Sequence, residues 1–84
     1  MTVFTVIDYF EGRPAPLVGV YSTQEKAIDG IIEYLDSQNI LQEYIEISLE
    51  CDTIEEAKEY YREYYKNHEY NPFTDIEIIA TELI

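Results

Sequence analysis

Runs of apolar residues separated by turn-forming residues divide the chain into predicted strands and helices. "TVFTVIDYF" (2–10) and "LVGVY" (17–21) are rich in β-branched and aromatic residues, which predicts two strands. The "EGRPAP" segment between them holds one glycine and two prolines, so the two strands are predicted to form a hairpin with a longish loop. "DIEIIATEL" (75–83) predicts a last strand.

A helix is predicted within "STQEKAIDGIIEYLDSQN" (22–39). Ser22 and Glu25 have the spacing of a capping box, and Asn39 is a suitable stop. At about 100° per residue the apolar side chains share an arc of about 140°, which predicts the buried face. This face comprises Ala27, Ile28, Ile31, Ile32 and Leu35. The opposite side carries an acidic stripe, defined here as Glu25, Asp29, Glu33 and Asp36.

"EYIEISLEC" (43–51) alternates between apolar and polar residues and therefore predicts a half-buried strand. Its inner face would hold Ile45, Ile47, Leu49 and Cys51. Its outer face would be acidic, with Glu46 and Glu50 pointing the same way.

The second predicted helix, over residues 53–68, is unusual for its tyrosines. Thr53 and Glu56 repeat the capping-box spacing, and "NPF" (71–73) is predicted to end the helix. The apolar arc is predicted to hold Ile54, Ala57, Tyr61, Tyr64 and His68. Tyr60 and Tyr65 flank that arc, so they serve either as the rim of the core or as an exposed aromatic strip suited to an interface. The charged side is expected to form pairs such as Glu59 with Arg62.

The order strand, strand, helix, strand, helix, strand predicts a single α+β domain over residues 1–84. We expect a mostly antiparallel sheet of three to four strands, with the two helices packed on one face.

Charge narrows the classes of partner. The chain has 18 acidic and 5 basic residues, for a net charge of −13, and the acids are spread along its whole length. Direct binding to nucleic acid or to an anionic membrane is disfavoured, because phosphate would be repelled. A basic protein would be attracted over long range, and salt would weaken the attraction.

The residues that carry enzyme chemistry are sparse. Cys51 is the single cysteine, which excludes an internal disulfide and fits a reducing cytoplasm. His68 is the single histidine, and neither phosphate-binding glycine motif occurs. The N-terminus lacks the pattern of a signal peptide, and no apolar run is long enough for a membrane span. The sequence therefore predicts a cytoplasmic protein that is not an enzyme and has neither cofactor nor metal.

The strand-to-helix junction within "LVGVYSTQEKAIDGIIEYL" (17–35) resembles small uncharacterised proteins of bacteriophages and prophages, in which a strand runs into a "G-V-[FY]-S-[ST]-x-E-K-A" segment. The resemblance covers about a third of the chain, and its motif is structural rather than catalytic. It implies a context, since small acidic phage proteins often bind and block host proteins, including defence nucleases. The matching residues are Gly19, Val20, Tyr21, Ser22, Thr23, Glu25, Lys26 and Ala27.

Three functions remain open from the sequence. The favoured hypothesis is an acidic protein-binding module that inhibits a basic, nucleic-acid-handling protein by charge mimicry. The alternatives are a protein that sequesters a small nucleotide-like ligand between tyrosines, and a subunit that associates with itself. The predicted partner-binding residues are Glu25, Asp29, Glu33, Asp36, Glu46, Glu50, Tyr60 and Tyr65.

Overall fold

The computed structural model describes residues 1–11, 17–48 and 50–83 and confirms the α+β class. Within these ranges there are four strands and three helices, so the prediction of two helices is wrong. The short strand β3 was also not predicted. In chain order the elements are β1 Thr2–Asp8, β2 Leu17–Tyr21, α1 Gln24–Ser37, α2 Ile40–Ile47, α3 Ile54–Asn67, β3 Tyr70–Asn71 and β4 Ile76–Glu82.

The four strands form one antiparallel sheet in the order β2-β1-β4-β3, and the predicted β1–β2 hairpin pairing is confirmed. Most of the predicted hairpin loop lies outside the described residues. In the register, Val6 pairs with Gly19 and Ile78, and Thr5 pairs with Val20 and Ile79. Because successive side chains of a strand point to opposite faces, Val6 and Ile78 face the helices, whereas Thr5 and Ile79 face away from them.

Helix α1 lies on the sheet as its sequence predicts, and all five residues of its predicted apolar face are buried. Its N-cap is Thr23 rather than Ser22, because the Thr23 hydroxyl accepts the Lys26 N–H at 3.1 Å. Asn39 ends the helical segment in a left-handed conformation, with φ of 60°. Gly30 makes room for the ring of Tyr21, since a Cβ at Gly30 would lie closer than 3.0 Å to three atoms of that side chain.

The segment predicted as a third strand is instead helical. Helix α2 packs against both α1 and α3, with Ile40 and Leu41 buried and Ile45 against the core. Ile45 follows Leu41 by four positions, and at about 100° per residue the three side chains lie within an arc of about 140°, so they share one side of the helix. Ile47, predicted to point inward, is 63% exposed, and Leu49 lies outside the described residues.

Helix α3 begins where predicted, since the Thr53 hydroxyl accepts the Glu56 N–H at 3.2 Å. It ends at Asn67, earlier than Pro72 predicts, and His68 is its C-cap. Its buried face contains Ala57, Tyr61 and Tyr65, which recur every four residues. His68, which lies on the predicted apolar arc, is exposed, and Tyr65, which was predicted to flank that arc either as core rim or as part of an exposed strip, is fully buried.

Candidate protein-binding surface

The acidic stripe of α1 is exposed, as predicted, but it is not uniformly negative. Asp29 forms an ion pair with Arg62 of α3, so Arg62 does not form the predicted pair with Glu59. Glu25 lines a cleft together with Arg62 and Lys66. Glu25 and Asp29, half of the stripe, thus lie beside basic side chains. Glu33 and Asp36 are exposed at the other end of the stripe, away from Arg62 and Lys66.

The predicted pairing of Glu46 and Glu50 on one strand face is wrong, because there is no strand at that position. Glu46 is exposed on α2, whereas Glu50 lies in the connection to α3. Glu50 instead borders a larger feature that the sequence analysis missed.

That feature is an open groove of about 810 Å³ along the outer side of α3, hereafter the acidic groove. Both the connection from α2 and the helix itself contribute to it, so its residues come from one continuous part of the chain. Its lining combines five carboxylates with two tyrosines and a histidine. The lining residues are Glu50, Cys51, Glu55, Glu56, Glu59, Tyr60, Glu63, Tyr64, Asn67 and His68.

The carboxylates of the acidic groove are closely spaced. Between Glu55 and Glu63, α3 rises about 12 Å and carries four of them, or one charge per roughly 4 Å. The spacing is similar to the about 3.4 Å per phosphate along one strand of duplex DNA. Lys58 and Lys66 approach this row only at its two ends, each at 3.8 Å from a carboxylate of the same helix. Among the described residues Glu59, in the middle of the row, forms no ion pair.

Stacked aromatic rings form the other part of the groove. Tyr60 stacks on Tyr44 of α2 with ring centroids 4.8 Å apart, and Tyr64 stacks on His68 at 4.3 Å. Both tyrosines are half-buried, so each presents part of a ring to solvent. Burial, with further contributions from Tyr44 and Glu50, raises the pKa of the Tyr60 hydroxyl above its usual value.

Tyr65 does not belong to this surface, in contrast to the prediction. Its side chain is fully buried, and its hydroxyl donates to the Ile76 carbonyl at 3.1 Å and pairs with the Thr74 hydroxyl at 2.8 Å. Tyr64, which was predicted to be buried, takes its place at the groove. The two residues are adjacent in sequence and about 100° apart on the helix, so a modest rotation of the buried arc exchanges their roles.

Cys51 borders the groove but is itself buried. Burial raises the pKa of its thiol, and the nearby Glu56 and Glu50 raise it further. Because only the thiolate is a strong nucleophile, this environment suppresses reactivity. Within residues 1–11, 17–48 and 50–83, no group of three His, Cys, Asp or Glu side chains is arranged to hold a metal ion.

Comparison with family models, curated proteins and solved structures finds no match for the chain. In the part of the chain that the structure describes, no helix combines the length and the apolarity needed to cross a membrane.

The sequence does contain a signal for the groove. In "EEAKEYYREYY" (55–65) the acids recur every four residues, and each double tyrosine places one ring next to them. Two tertiary contacts complete the groove and are not visible in this pattern. Helix α2 adds Tyr44 to the aromatic stack, and Arg62, the central basic residue of α3, pairs with Asp29 of α1 instead of with a groove carboxylate.

Proposed function

We propose that this chain is a small acidic protein-binding module whose partner is a basic, nucleic-acid-handling protein. In this proposal the carboxylates of the acidic groove occupy the partner's phosphate-binding positions. The observation that carries the proposal is the row Glu55, Glu56, Glu59 and Glu63 beside the exposed edges of Tyr60 and Tyr64.

Two physical arguments support the groove over the α1 stripe. The first is charge, since Arg62 pairs with Asp29 in the middle of the stripe, whereas the lysines of α3 pair only with the two ends of the groove row. The second is the aromatic wall, because tyrosine is enriched at protein interfaces and its ring attracts cations. An arginine-rich segment would satisfy both features at once, since guanidinium pairs with carboxylate and stacks on tyrosine.

The same features argue against the small-ligand alternative. Five carboxylates around the groove repel the phosphates of a nucleotide-like molecule. A neutral or cationic small molecule would meet an open surface rather than the enclosed cavity that such ligands usually occupy.

The test compares two triple variants that each remove three negative charges. The groove variant is Glu56→Gln, Glu59→Gln, Glu63→Gln, and the stripe variant is Asp29→Asn, Glu33→Gln, Asp36→Asn. Fluorescence anisotropy measures their affinity for labelled deca-arginine and deca-lysine peptides at low and high salt. We expect the groove variant to weaken deca-arginine binding at least ~10-fold more than the stripe variant does.

Equal weakening by both variants would mean that only net charge matters and would contradict a groove-specific contact. Full affinity in the groove variant would reject the proposal. Mimicry is tested separately on basic proteins captured from bacterial lysate by the wild-type chain. If a captured protein uses one surface for DNA and for this chain, an excess of duplex DNA should release it from the chain. A captured protein that stays bound to the chain in excess DNA would reject mimicry.

The biological setting of the proposal comes from the resemblance at residues 17–35 alone. On that basis we propose a phage- or prophage-encoded inhibitor of a host defence protein, acting in the host cytoplasm. This part fails if the proteins that the chain captures have no role in handling nucleic acid.

A further inference from the structure

The sheet has a second face that no described helix covers. Its side chains form three rows across the strands, hereafter the open sheet face. The middle row is Val20, Thr5 and Ile79, which pair in register across β2, β1 and β4. The outer rows are Val3 with Thr81 at one end, and Leu17, Ile7, Glu77 and Tyr70 of β3 at the other.

This face is more apolar than a solvated sheet face normally is. Antiparallel sheets with one face in water usually alternate apolar-in and polar-out. Here Val20 is 57% exposed, Leu17 54% and Ile79 38%, while Val3 and Ile7 are half-buried by their neighbours alone. The run "TVFTVID" of β1 does not alternate either, which is typical of a strand covered on both faces.

The open sheet face carries far fewer charged side chains than the helical side of the molecule. The nine residues in its rows include one charged side chain, Glu77, and that carboxylate already accepts the Tyr9 hydroxyl at 2.7 Å. The acidic groove and the acidic stripe both lie on the helical side. A partner recognised by charge would find little to bind here, whereas a second copy could approach with its carboxylates turned outward.

We propose that the open sheet face is the interface of a homodimer, in which two sheets stack face to face. Strands β1 and β4, each about 23 Å long, and β2, about 17 Å long, lie about 4.8 Å apart and give a flat footprint of roughly 300 Å² per copy. That is below the about 800 Å² per partner of a standard interface, so the dimer is weak and depends on concentration. It would give each sheet the second layer that an apolar face requires.

The register also selects the orientation of the two copies. A two-fold axis parallel to the middle row places the Glu77 end of one sheet over the uncharged Val3–Thr81 end of the other. The two Glu77 carboxylates are then kept apart, and Val20 of one copy faces Val20 of its partner. An axis along the strands would instead bring both Glu77 ends together, which like-charge repulsion disfavours.

Sedimentation velocity from micromolar to millimolar concentration tests the proposal. We expect a monomer–dimer equilibrium that salt strengthens, because salt screens the repulsion between two chains of net charge −13. This salt dependence is opposite in sign to that of basic-peptide binding at the groove, so the two proposals succeed or fail separately. A wild-type chain that stays monomeric at every concentration and salt level overturns the dimer.

Charge variants test the orientation. Val20→Glu and Val20→Lys should each raise the dimer Kd at least ~10-fold, and mixing the two should restore association because opposite charges then face each other. The matched control is Ile47→Glu, on an apolar residue of α2 that is 63% exposed and outside the open sheet face. Circular dichroism checks that each variant is folded. Unchanged dimerisation by Val20→Glu, or no recovery in the mixture, overturns the proposed interface.

Discussion

Each double tyrosine of α3 places one ring in the core and the other at the acidic groove. Tyr61 and Tyr65 are fully buried, whereas Tyr60 and Tyr64 are half-buried. The two buried hydroxyls differ in their environment. That of Tyr65 is hydrogen-bonded to Thr74 and Ile76, but that of Tyr61 finds no hydrogen-bond partner among the described residues. A buried polar group costs free energy unless it is paired, so the two hydroxyls should affect stability in opposite ways.

Replacing each buried tyrosine with phenylalanine tests this difference. Tyr65→Phe should lower the free energy of unfolding by about 1–2 kcal/mol, because it removes two hydrogen bonds and leaves their partners in the core. Tyr61→Phe should leave it unchanged or raise it by up to about 1 kcal/mol, since no bond is lost. Urea denaturation measures both changes, and each variant is the other's control. Equal losses in the two variants would contradict the assignment.

At the scale of single elements, local sequence patterns located the helices and strands except at α2 and the two-residue strand β3. Strict alternation in "EYIEISLEC" fits a strand, but Ile40 and Leu41 just before it are the residues that α1 and α3 bury. Adding them reveals helical spacing through Tyr44 and Ile45. The start of α1 was also misplaced, by one residue, because Ser22 and Thr23 are both good N-caps and the choice depends on backbone geometry.

The cap assignment is tested by two alanine substitutions in adjacent positions. Thr23→Ala should lower the free energy of unfolding by about 1 kcal/mol, because the Lys26 N–H loses its acceptor. Ser22→Ala should change it by less than about 0.5 kcal/mol, since Ser22 meets only the exposed Lys26 ammonium, at 3.5 Å. Urea denaturation measures both, and a larger loss for Ser22→Ala would contradict Thr23 as the cap.

At the scale of the whole molecule, the fold separates charge from apolar surface. Carboxylates lie along α1 and α3 on the helical side, and the open sheet face is nearly free of charge.

A second property of the whole molecule is that the fold raises the pKa values of one thiol and several tyrosine hydroxyls. Burial raises the pKa of Cys51 and Tyr61, and hydrogen bonds to Glu77 and Asp75 raise those of Tyr9 and Tyr70.

These shifts predict lower stability in alkaline solution. In the unfolded chain the Cys51 thiol and the tyrosine hydroxyls have pKa values near 9.0 and 10.0, and the fold raises the pKa of the thiol and of four hydroxyls, those of Tyr9, Tyr60, Tyr61 and Tyr70. The unfolded state thus binds fewer protons in alkaline solution, so these groups leave the free energy of unfolding unchanged below about pH 8 and lower it as pH rises further. Urea denaturation across this range measures the decline. Tyr61→Phe should make it shallower above pH 10, and an identical profile in that variant would contradict the role of Tyr61.

The sequence by itself determined the α+β class, the β1–β2 hairpin, the buried face of α1, the start of α3 and the acidity of the molecule. These properties follow from the local spacing of apolar, capping and charged residues, which the chain displays directly. Only the tertiary structure decided that residues 40–47 form a helix, that Tyr65 is buried in place of Tyr64, and that Arg62 pairs with Asp29. Each of these depends on contacts between different elements, because burial and pairing are set by which surfaces meet and not by the residues along any one element.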